Sequence, residues 1–350
     1  MSKQIKCLVW DLDNTLWGGI LLEDSDVKLK PGMREILAEL DRRGILLSIA
    51  SKNDYSDAMA KLRQLGVGEY FIYPQINWNS KAQSIKSIAD GINISIDTLA
   101  FIDDQRFERE DVKFSYPEVL TIDALNYQKL TDMEELMPRF ITDDSKKRRL
   151  MYQSDLQRKN DEGVFEGSNE EFLATLNMKL TIAPVQEGDL ERVEELTLRT
   201  NQLNSTGFTY DFDELASFIT SEKHTFLIAG LDDKYGTYGK IGLVLLEETE
   251  DTIEIKLLLM SCRVMTRGIG SALLIHIVKL SQSRGKRLRA QFVSTDRNRV
   301  MYITYKLMGF EGTEASENEN ADNGELKLEI LEYQEKANRE YPEYLKVIVE

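Results

Sequence analysis

Apolar and polar positions follow two different periods along the first third of the chain. QIKCLVWDL (4–12), ILLSIASKN (45–53), YFIYPQI (70–76), TLAFIDDQ (98–105) and EVLTIDA (118–124) are short apolar runs, most of them ending in polar residues. Strands buried on both faces read this way. Between them PGMREILAELDRRG (31–44), SDAMAKLRQLG (56–66) and SKAQSIKSIADGI (80–92) read as helices. The first has Pro near its start and Gly just past its end. Strand–helix alternation predicts a parallel sheet covered on both faces, with its site at the carboxyl ends of the strands. Asp11, Ser51 and Asp103 fall at such ends, so one cleft can gather them.

The pattern changes at 126–174, where DMEELMPRF, SKKRRLMYQSDLQRKNDEG and NEEFLATL read as charged helical connectors. It changes again at 178. MKLTIAPV is a strand and GDLERVEELTLRT a helix; HTFLIAGL, GKIGLVLLEE and TIEIKLLLMS are three antiparallel strands. GIGSALLIHIVKLSQSRG, RLRAQFV and RNRVMYITYKLMGF then read as helix, strand, helix, an α+β pattern. The polar stretch 314–325 reads as a loop. The expected domains are 1–130, a linker over 131–177, and 178–350.

At 350 residues the chain is long enough for two cores. Its 44 basic and 60 acidic residues leave a formal charge of −16, which repels nucleic acid on average. The basic clusters SKKRR (145–149) and RGKRLR (284–289) are solvated faces or docking patches for an acidic partner. No apolar run approaches the roughly 18 residues that cross a bilayer, and MSKQIKCLVWDLD has no signal-peptide pattern. Cys7 and Cys262 stand far apart without metal-type spacing, which fits a reducing cytoplasm.

Asp11 and Asp13 bring two like charges to the end of a buried strand. Such an arrangement is costly unless a cation compensates it, and a hard, oxygen-loving Mg²⁺ is the simplest one. Ser51, Lys81 and the pair Asp103–Asp104 follow in order. This set resembles the haloacid dehalogenase (HAD) phosphotransferase superfamily: Asp-x-Asp-x-Thr, Ser or Thr, Lys, acidic pair. The resemblance implies a Rossmann-like parallel sheet with Asp11 as phosphoryl acceptor and Asp13 as acid and base. Thr15, Ser51 and Lys81 would bind phosphate. The metal would lie on Asp11, the Asp13 backbone carbonyl, and Asp103 or Asp104. No segment between the motifs is long enough for an inserted cap domain, so an open cleft is expected, suited to a large or carrier-borne substrate.

Arg267-Gly268-Ile269-Gly270-Ser271 opens a helix after a strand, where glycines and free N–H groups favour an anion. With Asn298, Tyr305 and Gly309-Phe310 it resembles the GCN5-related N-acetyltransferase (GNAT) fold. That resemblance implies coenzyme A, or the phosphopantetheine of a carrier, on Arg267, Gly268, Gly270, Ser271 and Asn298. Tyr305 is then the acid for a departing thiolate, or a packing residue. Cys262 is an acyl acceptor or a small apolar filler, and Cys7 a core residue. Thr200–Asn204 is an acyl-pocket lining or a turn.

KCLVWDLDNTLWGG, LLSIASKND, FIDDQRFER, ELTLRTNQLNSTG, LLLMSCRV and TDRNRVM together resemble the FkbH-like proteins of polyketide pathways. That family implies transfer of the glyceryl group of 1,3-bisphosphoglycerate to the thiol of an acyl carrier protein. Two other readings stand beside it. One is a phosphatase fused to a coenzyme-A-dependent N-acetyltransferase; the other is a carrier-docking protein whose GNAT-like half is not catalytic.

Overall fold

A computed structural model describes residues 4–24, 26–200, 202–313, 328–334 and 338–350. The chain divides into two compact units, Met1–Gln157 and Arg158–Glu350. The division falls inside one helix of the connector segment.

The first unit is a five-stranded parallel sheet. Its strands are β1 (Cys7–Trp10), β4 (Leu46–Ser51), β5 (Gln75–Ile76), β6 (Leu99–Asp103) and β7 (Leu120–Asp123), in the order β5-β4-β1-β6-β7. Helices α1 (Met33–Arg42), α2 (Tyr55–Gln64), α3 (Lys81–Gly91) and α4 (Arg106–Ser115) connect them. A small flap, β2 (Trp17–Gly18) paired with β3 (Lys28–Leu29), follows β1. The continuous apolar run of β1 is explained by its two buried faces. Leu8 and Trp10 enter one core with Leu37, Leu40 and Ile49. Cys7 and Val9 enter the other with Ile85, Phe101 and Val112. Cys7 is thus a core residue, and burial pushes its thiol well up from the ordinary range. Helix α4 is an addition to the elements read from sequence: in its charged sequence, RFEREDVKFS, the one buried apolar residue is Val112, beside the buried Glu108.

The connector contains α5 (Asp143–Lys146), α6 (Arg148–Val164) and α7 (Asn169–Thr175), the last with a Ser168–Glu171 capping box. The second unit holds an eight-stranded mixed sheet. Its strands are β8 (Met178–Pro184), β9 (His224–Asp233), β10 (Gly236–Glu248), β11 (Thr252–Met260), β12 (Arg287–Val293), β13 (Phe310–Gly312), β14 (Leu328–Tyr333) and β15 (Leu345–Val349). Their order is β13-β14-β12-β11-β10-β9-β8-β15. α8 (Leu190–Arg199) and α9 (Phe212–Thr220) contribute to the core on one face. α10 (Ile269–Ser283) and α11 (Arg299–Leu307) contribute to the other. The three antiparallel strands read at 224–261 pair as expected. α9, β14 and β15 are additional elements; β14 and β15 are partly exposed strands without a strong apolar pattern.

The parallel pair β11–β12 is short. It holds Thr252–Ile255 against Arg287–Ala290 and goes no further, although both strands continue. Past that point a third segment, Leu203–Ser205, lies between them. Leu203 O accepts from Met260 N (2.8 Å), Ser205 N donates to Leu258 O (2.9 Å), and Val293 N donates to Ser205 O (3.0 Å). The Ser205 hydroxyl accepts from Leu258 N at 3.1 Å. Backbone groups that lose their ladder must find partners, and this segment supplies them.

Internal partners also take up much of the two basic clusters. Arg148 donates to Gly44 O and Arg149 pairs with Asp41, both at 2.9 Å. Arg284 and Lys286 pair with Glu248, and Arg289 with Glu332. Among the described residues, no helix is long and apolar enough to cross a membrane. The loop read at 314–325 lies outside the described residues.

Candidate active site

The strand ends of the first unit bring four of the sequence-derived residues into one group, three of them buried and Asp104 half-buried. Asp11 leaves β1, Asp103 closes β6, Asp104 follows it, and Lys81 opens α3 after the short β5. Carboxylate oxygens of Asp11, Asp103 and Asp104 all lie within 4.8 Å of one another. Lys81 Nζ pairs with Asp11 Oδ1 and reaches Asp103 Oδ2 at 3.3 Å; it also donates to Ala50 O at 2.7 Å. Asp11, Lys81 and Asp103 are 6%, 3% and 1% exposed. At that depth one ammonium does not balance three carboxylates.

The titration of the group reflects this imbalance. Burial first, and then the Asp11 carboxylate, push Asp103 up to about 7 against the opposing pull of Lys81. Burial and Asp11 also raise Asp104. Burial disfavours the charged Lys81, yet Asp11 and Asp103 outweigh it and hold the ammonium above its ordinary range. Asp103 Oδ2 is buried without a hydrogen-bond partner, even with Lys81 nearby. Three carboxylates with spare oxygen lone pairs are the donor set a hard divalent cation takes. The residues present therefore fit Mg²⁺, with both members of the acidic pair in the cluster.

The side chain of Asp13 stands apart from that cluster. Its Oδ1 accepts from the Trp17 indole (2.8 Å) and the Leu21 amide (3.0 Å), and its Oδ2 from Asn53 Nδ2 (3.0 Å). It is not among the carboxylates that cluster. The sequence pattern assigns Thr15 to phosphate. The structure instead buries it completely and engages its hydroxyl with Asp104, accepting from the backbone N at 3.0 Å and donating to Oδ1 at 3.4 Å. Ser51 closes β4 at the same strand ends and is 3% exposed.

Several supporting residues escape a motif-based reading. Arg109 donates to the carbonyls of Asp103 (2.7 Å) and Asp104 (2.9 Å) and pairs with Asp123 at 2.6 Å, so it fixes the acidic loop. Its place one turn into α4, within FIDDQRFER, is the only sequence signal. Lys52 pairs with the buried Glu108 at 2.5 Å. Asn14 takes a left-handed φ of 55° between Asp13 and Thr15, a conformation Asn tolerates. Its side chain accepts from Gly19 N at 3.1 Å, and this closes the flap turn.

The second predicted site is assembled differently. Gly268 has φ +74°, and a Cβ there would collide with the Tyr344 hydroxyl; a Cβ on Gly270 would press on Met260 Cε at 3.0 Å. Both glycines thus make room for the chain's own side chains. Arg267 is 3% exposed and turned inward, with Nη2 on Glu162 at 3.1 Å and Phe172 at 5.9 Å. Ser271 is half-buried in the first turn of α10. Asn298 is 1% exposed. It donates to Asn204 O (3.0 Å) and Val293 O (2.8 Å) and accepts from Thr295 N (2.9 Å), so its carboxamide clamps the inserted segment.

Tyr305 is fully buried, its ring edge-to-face with Phe310 at 5.1 Å and Phe292 at 6.4 Å. Burial holds its phenol protonated, against a smaller opposing effect of Ser205 at its hydroxyl. Cys262 is half-buried in a single turn after β11. Of Thr200–Asn204, Asn201 lies outside the described residues, while Leu203 and Asn204 form the insert between β11 and β12.

Comparison with known proteins gives the following. Residues 17–111 match the family model of haloacid dehalogenase-like hydrolases. Ser51, Lys81, Asp103 and Asp104 lie inside that span; Asp11 and Asp13 precede it. Among solved structures, the N-terminal part of a Bacteroides fragilis protein, containing a phosphatase domain complexed with Mg, is 28% identical. That match covers 37% of this chain and 39% of that one, with a TM-score of 0.34. The Escherichia coli ribosomal-protein-S18-alanine N-acetyltransferase is 16% identical over 46% of this chain and 99% of that one, TM-score 0.35. Arabidopsis thaliana NAA60, in complex with a bisubstrate analogue, is 17% identical over 44% and 98%, TM-score 0.34. No curated protein matches the chain. The class is α/β: a parallel-sheet unit, within which residues 17–111 match the haloacid dehalogenase-like hydrolase model, followed by an α+β unit built on a mixed sheet.

Proposed function

We propose that the first unit is a Mg²⁺-dependent phosphoryl-transfer site with Asp11 as the acceptor. The observation that carries this reading is the cluster of buried Asp11 and Asp103 with half-buried Asp104, Lys81 bridging the two buried members. A bound Mg²⁺ would supply charge screening between phosphate and nucleophile. Asp11 attacks phosphorus and becomes an aspartyl phosphate. Lys81 binds a phosphoryl oxygen where charge accumulates. Thr15 and Arg109 hold the acidic loop in register. Asp13 gives a proton to the leaving oxygen and later takes one from water.

The finer reading is that the phosphorylated substrate is 1,3-bisphosphoglycerate and that its glyceryl group passes to the phosphopantetheine thiol of an acyl carrier protein. The FkbH-like phrases on both units support it. It asks for phosphate handling and thiol handling in one chain. In the version taken here the second unit docks the carrier, and the carrier thiol attacks the acyl carbon directly and releases the acyl phosphate as inorganic phosphate. The test is intact-protein mass spectrometry of a carrier protein incubated with this chain, Mg²⁺ and 1,3-bisphosphoglycerate. A glyceryl adduct that needs Asp11 and persists in Cys262→Ala is the expected result. Phosphate release without an adduct across several carriers would reduce the function to a phosphatase. Acetyl-coenzyme A turnover with an amine would favour the fused acetyltransferase.

A further inference from the structure

Asp13 is held by two segments that the motif does not contain. The flap supplies the Trp17 indole N–H and the Leu21 backbone N–H, both to Oδ1. The β4–α2 loop supplies Asn53 Nδ2 to Oδ2. A carboxyl oxygen has two lone pairs, so Oδ1 is filled and Oδ2 keeps one position open. Asn53 is 1% exposed, and its Oδ1 accepts from Asp54 N at 3.1 Å. That bond sets which way the amide faces and keeps the NH₂ on Asp13. Trp17 is fully buried, and its strand pairs with Lys28–Leu29, which fixes the ring.

We infer that Asn53 and Trp17 are positioning residues that orient the Asp13 carboxyl group and leave Oδ2 as its proton-transferring oxygen. The inference rests on the phosphoryl-transfer reading above. In the first half-reaction an Asp11 oxygen bonds to phosphorus, the ester P–O bond breaks, and its electron pair stays on the leaving oxygen. That oxygen takes the proton from Asp13 Oδ2. In the second, Oδ2 takes a proton from water, the water oxygen bonds to phosphorus, and the bond to Asp11 breaks to release phosphate. In both, Oδ1 remains anchored and Oδ2 moves only a proton. Precise orientation of this kind is what supporting groups contribute to acid–base steps.

Phenyl phosphate and p-nitrophenyl phosphate test this with the full chain and Mg²⁺. They have nearly the same shape, but departing p-nitrophenolate needs a proton far less. Asn53→Ala is expected to lower kcat/KM about tenfold on phenyl phosphate and about threefold at most on p-nitrophenyl phosphate. Asn53→Asp is isosteric and still accepts from Asp54 N, but it sets a second carboxylate against Oδ2. Its loss on phenyl phosphate should exceed that of Asn53→Ala, with the thermal midpoint reporting the fold. Trp17→Phe leaves Oδ1 one donor, and the same ratio should move about threefold. Equal losses on both substrates in both Asn53 variants, or none, would overturn the inference. Wild-type protein that hydrolyses neither compound, or an Asp11→Asn variant as active as wild type, would instead overturn the phosphoryl-transfer reading and the inference with it.

Discussion

Two clusters of buried polar groups, one in each unit, are satisfied to different degrees. In the first, Asp11, Asp103, Asp104 and Lys81 converge with more acceptors than donors, and Asp103 Oδ2 is left without a hydrogen bond. In the second, Asn204, Ser205 and Asn298 are as deeply buried, yet they bond to one another and to the ends of β11 and β12. The first arrangement costs folding energy and has spare coordinating capacity. The second contributes folding energy and has little capacity left for a ligand. Unmet bonding capacity at a strand end, rather than polarity or burial alone, is what distinguishes a site prepared for a partner.

The sharpest way to break this comparison is Asp11→Asn. It should lower Mg²⁺-dependent phosphatase turnover by about 10³ or more while thermal stability holds or rises, because a like charge is removed from the cluster. Phosphate release at near wild-type rate would end the case for the first unit. The next effect is pH-dependent. Asp103 has its folded value raised to about 7, above the ordinary carboxylate value of an unfolded chain. Without metal, its contribution to stability is therefore complete in acid and is lost as pH rises through about 7. Mg²⁺ requires the deprotonated carboxylate. Its affinity, followed by thermal shift, should therefore strengthen several-fold between pH 6 and pH 8. An affinity that is flat across that range would remove Asp103 from the metal site.

Asn298→Ala probes the other half. It removes three bonds, one to the insert at Asn204, one to Val293 at the end of β12 and one to Thr295, and should cost about 2–3 kcal/mol in urea unfolding, leaving phosphatase turnover intact. Unchanged stability would mean that the insert is not a structural member of the sheet. The smallest effect expected is from Tyr305→Phe. A buried hydroxyl with no well-formed hydrogen bond, facing Ser205, can be removed within about 1 kcal/mol, and carrier loading should persist. A loss of loading greater than tenfold would restore Tyr305 to the chemistry and require the second unit to open.

Motif reading is most successful where a residue's role depends on its position along a strand. Asp11, Asp103 and Asp104 are legible because apolar runs end beside them, and Lys81 because it opens a helix in the right order among them. Arg109, Asn53 and Trp17 are not, because an arginine on a charged helix or an asparagine in a loop has many ordinary explanations. Gly268 and Gly270 carry a second meaning that spacing does not show. A glycine signals close approach, but the approaching group is Tyr344 or Met260, and neither is near in sequence.

The alternation of apolar strands and amphipathic helices by itself determined a parallel sheet, the edge of that sheet where chemistry collects, and the acidic residues placed there. Hydrophobic burial is periodic and local, so the linear pattern carries it. Only the tertiary structure decided which polar groups stay unsatisfied. Hydrogen-bond completion depends on donors brought from distant segments: Asn53 to Asp13 in one unit, Asn204 to Asn298 in the other. No spacing rule along the chain records that pairing.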